Sequence, residues 1–162
     1  MRRTLWSMGL LAGLMAACQP RPECYGRYQA LPHEGWAVGD TLRFCVTAAE
    51  AEGTCRLDLC LRTYPLFSKT GVMLMVRTRQ HKVNDDPSNT ADSLPVTRRV
   101  AFPLSDSPNR PGGRGVALLQ YRRPFLQLAM TDGDTLFVDV WPDLAPGDTL
   151  EGLSDVGVML SR

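Results

Sequence analysis

Residues 57–62 read Leu57-Asp58-Leu59-Cys60-Leu61-Arg62. Successive side chains of an extended chain point to opposite faces, so the three leucines share one face and Asp58, Cys60 and Arg62 share the other. The same period of two recurs in Leu42/Phe44/Val46, Val72/Leu74/Val76, Val100/Phe102, Val116/Leu118, Leu136/Val138/Val140 and Val156/Val158/Leu160. Such alternation belongs to strands buried on one side only. Turn chemistry separates the runs: Gly39-Asp40, Glu52-Gly53, Lys69-Thr70-Gly71, Asp132-Gly133-Asp134 and Pro146-Gly147-Asp148. Beyond the N-terminal segment no stretch holds a helical period, and Ala48-Ala49-Glu50-Ala51-Glu52 reads as the loop joining two strands. About eight strands at this spacing predict an all-β fold, an antiparallel two-sheet β-sandwich of jelly-roll type over residues 35–162. Short strands and uneven loops disfavour the alternative, a closed lipocalin-like barrel.

The N-terminus has a different logic. Arg2 and Arg3 precede an apolar run from Leu5 to Ala17, which is too short for the roughly 20 residues that span a bilayer. A basic start, a short apolar run and small residues before a cleavage point describe a secretory signal. Met15-Ala16-Ala17-Cys18 resembles a lipobox, in which the cysteine receives the lipid. Residues 1–17 are therefore expected to be a lipoprotein signal peptide, Cys18 the acylated residue, and residues 18–34 a tether whose Pro20 and Pro22 favour an extended path. One acyl chain holds a protein only marginally, and several hold it stably.

The full chain has 162 residues, with 18 basic and 17 acidic. Losing Arg2 and Arg3 with the signal leaves 16 against 17, a net charge of −1. No basic cluster offers the electrostatic footprint of a nucleic-acid binder. A content of 44% hydrophobic and 22% charged residues excludes a disordered tail and a multi-span membrane protein. Cys24, Cys45, Cys55 and Cys60 remain after Cys18, and their spacing matches no zinc pattern. Cys45 and Cys60 share the non-core phase of two neighbouring runs, so a cross-strand disulfide between them and free thiols are both open, while Cys55 reads as buried.

Few residues carry catalytic equipment. His33 and His81 are each solitary, and there is no nucleophile elbow, cysteine–histidine arrangement or phosphate-cradling glycine loop. Asp85-Asp86 and Asp132-Gly133-Asp134 lack the spaced ligand ladder of a calcium loop, and the latter reads as a hairpin turn. The expectation is a protein without enzymatic activity, cofactor or metal. Trp36, Arg62, Tyr64 and Phe67 are the candidate partner-surface residues, because aromatic rings and arginine dominate protein contacts. For Trp36 a core position competes with that role, and for Arg62 an ion pair with a neighbouring strand. Residues 80–92 and 105–115 read as long polar or Gly/Pro-rich loops.

The order of landmarks carries a family resemblance. After the lipobox cysteine come Tyr28, Leu31-Pro32, Gly35-Trp36 and Gly39-Asp40-Thr41-Leu42 leading to Phe44. Then follow Leu59, Leu61-Arg62, Tyr64, Phe67, Asp92-Ser93-Leu94, Gly113-Arg114-Gly115 and a closing Gly152-Leu153-Ser154-Asp155-Val156-Gly157-Val158. This order resembles the gliding-motility lipoprotein family GldH of Bacteroidota. The resemblance implies an outer-membrane lipoprotein facing the periplasm, anchored in the bilayer through Cys18. It also implies a non-catalytic role supporting the gliding motility and type IX secretion machinery of the cell envelope. The alternative from a different class is a carbohydrate-binding surface lipoprotein, which needs exposed rings among Trp36, Trp141, Tyr64 and Tyr121 gathered in one groove.

Overall fold

The computed structural model describes residues 23–83, 94–107, 110–111 and 113–162. The expected signal peptide, Cys18, Asp85-Asp86 and Asp92-Ser93 lie outside the described residues. In chain order the elements are β1 (Glu23–Ala30), β2 (Trp36–Ala37), β3 (Leu42–Thr47), a single helical turn α1 (Ala48–Ala51), β4 (Gly53–Thr63) and β5 (Gly71–His81). They continue with β6 (Val96–Pro103), β7 (Ser105–Ser107), β8 (Arg110–Pro111), β9 (Leu119–Met130), β10 (Thr135–Pro142), β11 (Thr149–Leu150) and β12 (Leu153–Ser161).

Eight long strands form two antiparallel four-stranded sheets, ordered β1-β12-β4-β9 and β3-β10-β5-β6. Counted among the long strands alone, the orders are first-eighth-third-sixth and second-seventh-fourth-fifth. That is the double Greek-key wrapping of a jelly roll. The expected all-β sandwich is therefore the observed fold. Core side chains come from both inner faces: Leu57, Leu59, Leu61, Val156, Val158 and Leu160 from the first sheet, and Phe44, Val46, Leu74, Val76, Val138 and Val140 from the second. Each of these residues was on the apolar phase of its run.

Four expectations need correction. The sandwich begins inside the stretch assigned to the tether, because Glu23–Ala30 pairs antiparallel with β12 from Glu23↔Ser161 to Ala30↔Asp155. Residues 48–51 form a helical turn rather than a loop, and Glu50 closes a capping box with Thr47. Its carboxyl is held below the ordinary value by the Thr47 N–H and hydroxyl and by Arg27, against the opposing effect of burial. Val116 and Leu118 are not a strand: residues 116–118 form a bend with Val116 96% exposed, and the strand is β9, which follows them. Asp132-Gly133-Asp134 turns the chain from β9 in one sheet to β10 in the other and so closes no hairpin.

The cysteines follow the same correction. β3 and β4 are neighbours in sequence but lie in opposite sheets, so Cys45 and Cys60 do not face one another. Cys45 is exposed on the second sheet, Cys60 is buried on the first, and all four described cysteines are free thiols. Cys24 and Cys55 approach to 3.9 Å between sulfurs, and the Cys24 thiol also donates to the Leu160 carbonyl at 3.4 Å.

Candidate functional site

The four candidate surface residues do not converge. Trp36 is wholly buried, and its indole N–H donates to the Asp40 carbonyl at 2.9 Å, so it belongs to the core. Arg62 is half-buried, with its guanidinium 3.7 Å from the centre of the Tyr28 ring and its Nε donating to Gln120 Oε1 at 3.2 Å. It is thus occupied by a ring and an amide, where an acid on the next strand was one expectation. Tyr28 lies across Gly157, where a Cβ would stand 2.6 Å from the ring, and this stack covers Cys60. Burial raises the titration of both the Tyr28 hydroxyl and the Cys60 thiol. Phe67 is half-buried against Gly152, which adopts φ +81°. Tyr64 is 44% exposed, and Leu66 beside it is 95% exposed.

Tyr64 and Leu66 follow the end of β4, at the pole of the sandwich opposite Glu23. The register shows this directly, because Glu23 and Arg56 both pair with Ser161 while Thr63 pairs with Leu153 and Leu119. Of the rings that a glycan groove would use, Trp36 and Tyr121 are buried in the core. Trp141 is on β10 of the second sheet and Tyr64 follows β4 of the first, so they do not share a face.

The outer faces of the sheets hold what single-residue reading missed. On the first, Asp58 is wholly buried although it occupies the solvent phase of β4. Arg122 donates to it at 2.6 Å through Nε and Arg56 at 3.0 Å through Nη2, while Arg122 Nη1 reaches Glu23 at 2.6 Å. Burial pulls the Arg122 guanidinium toward neutrality, but the hydrogen bonds to Asp58 and Glu23 outweigh it and keep the cation. An opening of about 700 Å³ at the β6/β9 edge is lined by Phe102, Arg114, Tyr121, Arg122 and Arg123.

On the second sheet, register places outward side chains in rows across the strands. Cys45, Phe137 and Arg79 form one row; Arg43, Asp139, Arg77 and Thr97 form the next; Trp141, Met75 and Arg99 form a third. Arg77 donates twice to Asp139 Oδ2, at 2.6 Å and 3.1 Å. Arg43 reaches Asp139 only at 4.0 Å, and its side chain is 80% exposed. Arg79 sits over the Phe137 ring at 4.9 Å, Arg77 near Trp141 at 5.8 Å, and Arg99 pairs with Asp143. A depression of about 590 Å³ opens among Arg43, Arg77, Arg79, Phe137, Asp139 and Pro95. The sequence carried half of this signal: Arg43, Arg77, Arg79 and Asp139 alternate with core residues, so their outward direction was legible. Which strands stand side by side was not.

Among the described residues, no group of three or more His, Cys, Asp or Glu side chains is placed to hold a metal ion. No protein-family model matches the chain, and no curated protein or solved structure matches it either.

Proposed function

We propose that this chain is a lipid-anchored, non-catalytic component of a bacterial cell envelope that acts by holding a rigid sandwich at the membrane for protein contact. The observation that carries the reading is the closeness of the anchor to the fold. Only residues 19–22 separate Cys18, the lipobox cysteine, from a first strand already paired into a sheet. Four extended residues reach about 14 Å. In this reading the Glu23 end of the sandwich stays beside the bilayer, and the opposite pole, with exposed Tyr64 and Leu66, faces partners. The resemblance to the GldH family adds the assignment to the outer membrane, facing the periplasm, and to the gliding and type IX secretion apparatus. The carbohydrate-binding alternative in its stacked-ring form is weakened by the burial of Trp36 and Tyr121.

Fractionation of cells expressing the full chain tests the anchor. The wild type takes up labelled palmitate and sediments with the outer membrane, whereas Cys18→Ser loses both properties. Crosslinking in intact cells followed by pull-down through the C-terminus tests the partner. Recovery of motility or type IX secretion components supports the reading; recovery of polysaccharide-uptake machinery, or of this protein alone, refutes it.

A further inference from the structure

We infer that the outer face of the second sheet is a binding site for an acidic saccharide, a sugar chain bearing carboxylate groups. The site lies away from the Tyr64 pole and depends on neither the anchor nor the envelope assignment. The argument begins with charge. Among the described residues, Arg43 and Arg77 project from this face toward the single carboxylate of Asp139, and Arg99 pairs with Asp143. The whole chain is nearly neutral, so the positive excess is local. Guanidinium groups present donors only, in forks that match carboxylates. The face therefore asks for a ligand rich in acceptor oxygens.

Geometry narrows the class. The depression of about 590 Å³ is lined by Phe137 and lies against β3, β10 and β5. β10 and β5 are interior to their sheet, and along the edge strand β3 the Arg43 and Cys45 carbonyls already accept from Gln29 and Tyr25 of β1, so a peptide cannot add there as another strand. The lining offers aromatic surface and charged walls rather than separate apolar pockets for peptide side chains. Asp139 then acts as an internal competitor. It holds Arg77 through two hydrogen bonds but leaves Arg43 beyond hydrogen-bond reach at 4.0 Å and open to a ligand. The site is a cationic fork partly occupied by its own carboxylate.

That competition gives two substitutions opposite signs. The purified full chain in detergent is titrated with polygalacturonate and with the same polymer fully methyl-esterified. Polygalacturonate binds, and its affinity falls as salt rises; the esterified polymer does not bind. Arg43→Gln weakens binding about tenfold, the scale of one charge-assisted hydrogen bond. Asp139→Asn tightens it severalfold by releasing Arg77, an effect that a merely structural carboxylate would not produce. Lys69→Gln, in the exposed turn between β4 and β5 at the Tyr64 pole, leaves binding unchanged. Thermal melts of each variant confirm the fold. Equal binding of both polymers, binding of neither, preference for polyglutamate over polygalacturonate, or no response to Arg43→Gln overturns the proposal.

Discussion

Asp58 shows how a single residue can follow the strand pattern and defy its meaning. Alternation puts it on the solvent phase between Leu57 and Leu59, yet no part of it is exposed, because Arg56 and Arg122 close over the carboxylate. Removing one partner of such a buried group strands the others, at a cost of about 3–5 kcal/mol. Asp58→Ala should therefore lower the urea unfolding free energy by that amount, and Asp58→Asn by less, since the amide oxygen still accepts. A loss below about 1 kcal/mol for the alanine variant would show that the arginines are held by solvent. The same limit on sequence reading applies to Trp36 and Arg62. Their types mark them as contact residues, but the Asp40 carbonyl and the Tyr28 ring take their polar and cationic groups within the fold.

At the scale of elements, the turn from β9 to β10 carries more than a change of direction. Asp134 is buried there, and its Oδ2 accepts from the Thr131 N–H at 3.0 Å, the Thr131 hydroxyl at 3.1 Å and Gln80 Nε2 at 3.1 Å. Its Oδ1 accepts from the Val83 N–H at 3.3 Å. Burial alone would raise this carboxyl, but the hydrogen bonds outweigh it and hold the group below its ordinary value of 3.8. A folded value below the unfolded one means that the stabilisation is complete above about pH 4 and disappears as pH falls through the folded value. Melts from neutral to acidic pH should show the wild type losing stability faster than Asp134→Asn below pH 4, so that the two curves converge. Parallel curves would assign the acid sensitivity to other carboxylates. The strands that sequence reading missed have identifiable causes. β9 carries Arg122-Arg123-Pro124 and a bulge at Phe125, where Leu57 pairs with Leu126 but Asp58 pairs with Pro124, so its phase slips mid-strand. Pro124 is tolerated because β9 is an edge strand, where a missing N–H also discourages pairing with another chain. β1 offers Tyr25-Gly26-Arg27-Tyr28 instead of aliphatic alternation, and the prolines before it suggested a tether.

For the whole molecule, the jelly-roll wrapping sorts the cysteines into unlike environments. Cys45 stands in the open on the second sheet, Cys55 lies in the core, and Cys60 lies beneath the Tyr28 stack on the first. Burial, with Cys24 adding to it at Cys55, pushes the Cys55 and Cys60 thiols above their ordinary value of 9.0. A maleimide applied to the native protein at neutral pH should label Cys45 within minutes, leaving Cys55 and Cys60 unmodified until denaturant is added. Peptide mapping by mass spectrometry reads the order directly. Early labelling of Cys60 would mean that the Tyr28 cover opens, and a Cys45–Cys60 disulfide would contradict the placement of β3 and β4 in opposite sheets. The same wrapping separates the two functional proposals in space, with the exposed pole beyond β4 set apart from the arginine rows of the second sheet.

Period-two hydrophobicity determined the fold class and most of the core, because burial on one face of a strand is a local property written into every second residue. The expectation that Cys18 is acylated likewise rests on the sequence alone, with no reference to the fold. Only tertiary structure decided which strands lie side by side, since pairing joins residues far apart in the chain, such as Asp139 with Arg43 and Arg77. The arginine face, the buried Asp58 cluster and the burial of Trp36 all depend on that adjacency. Local pattern sets the direction of a side chain, and the company it keeps is settled when two sheets close on one another.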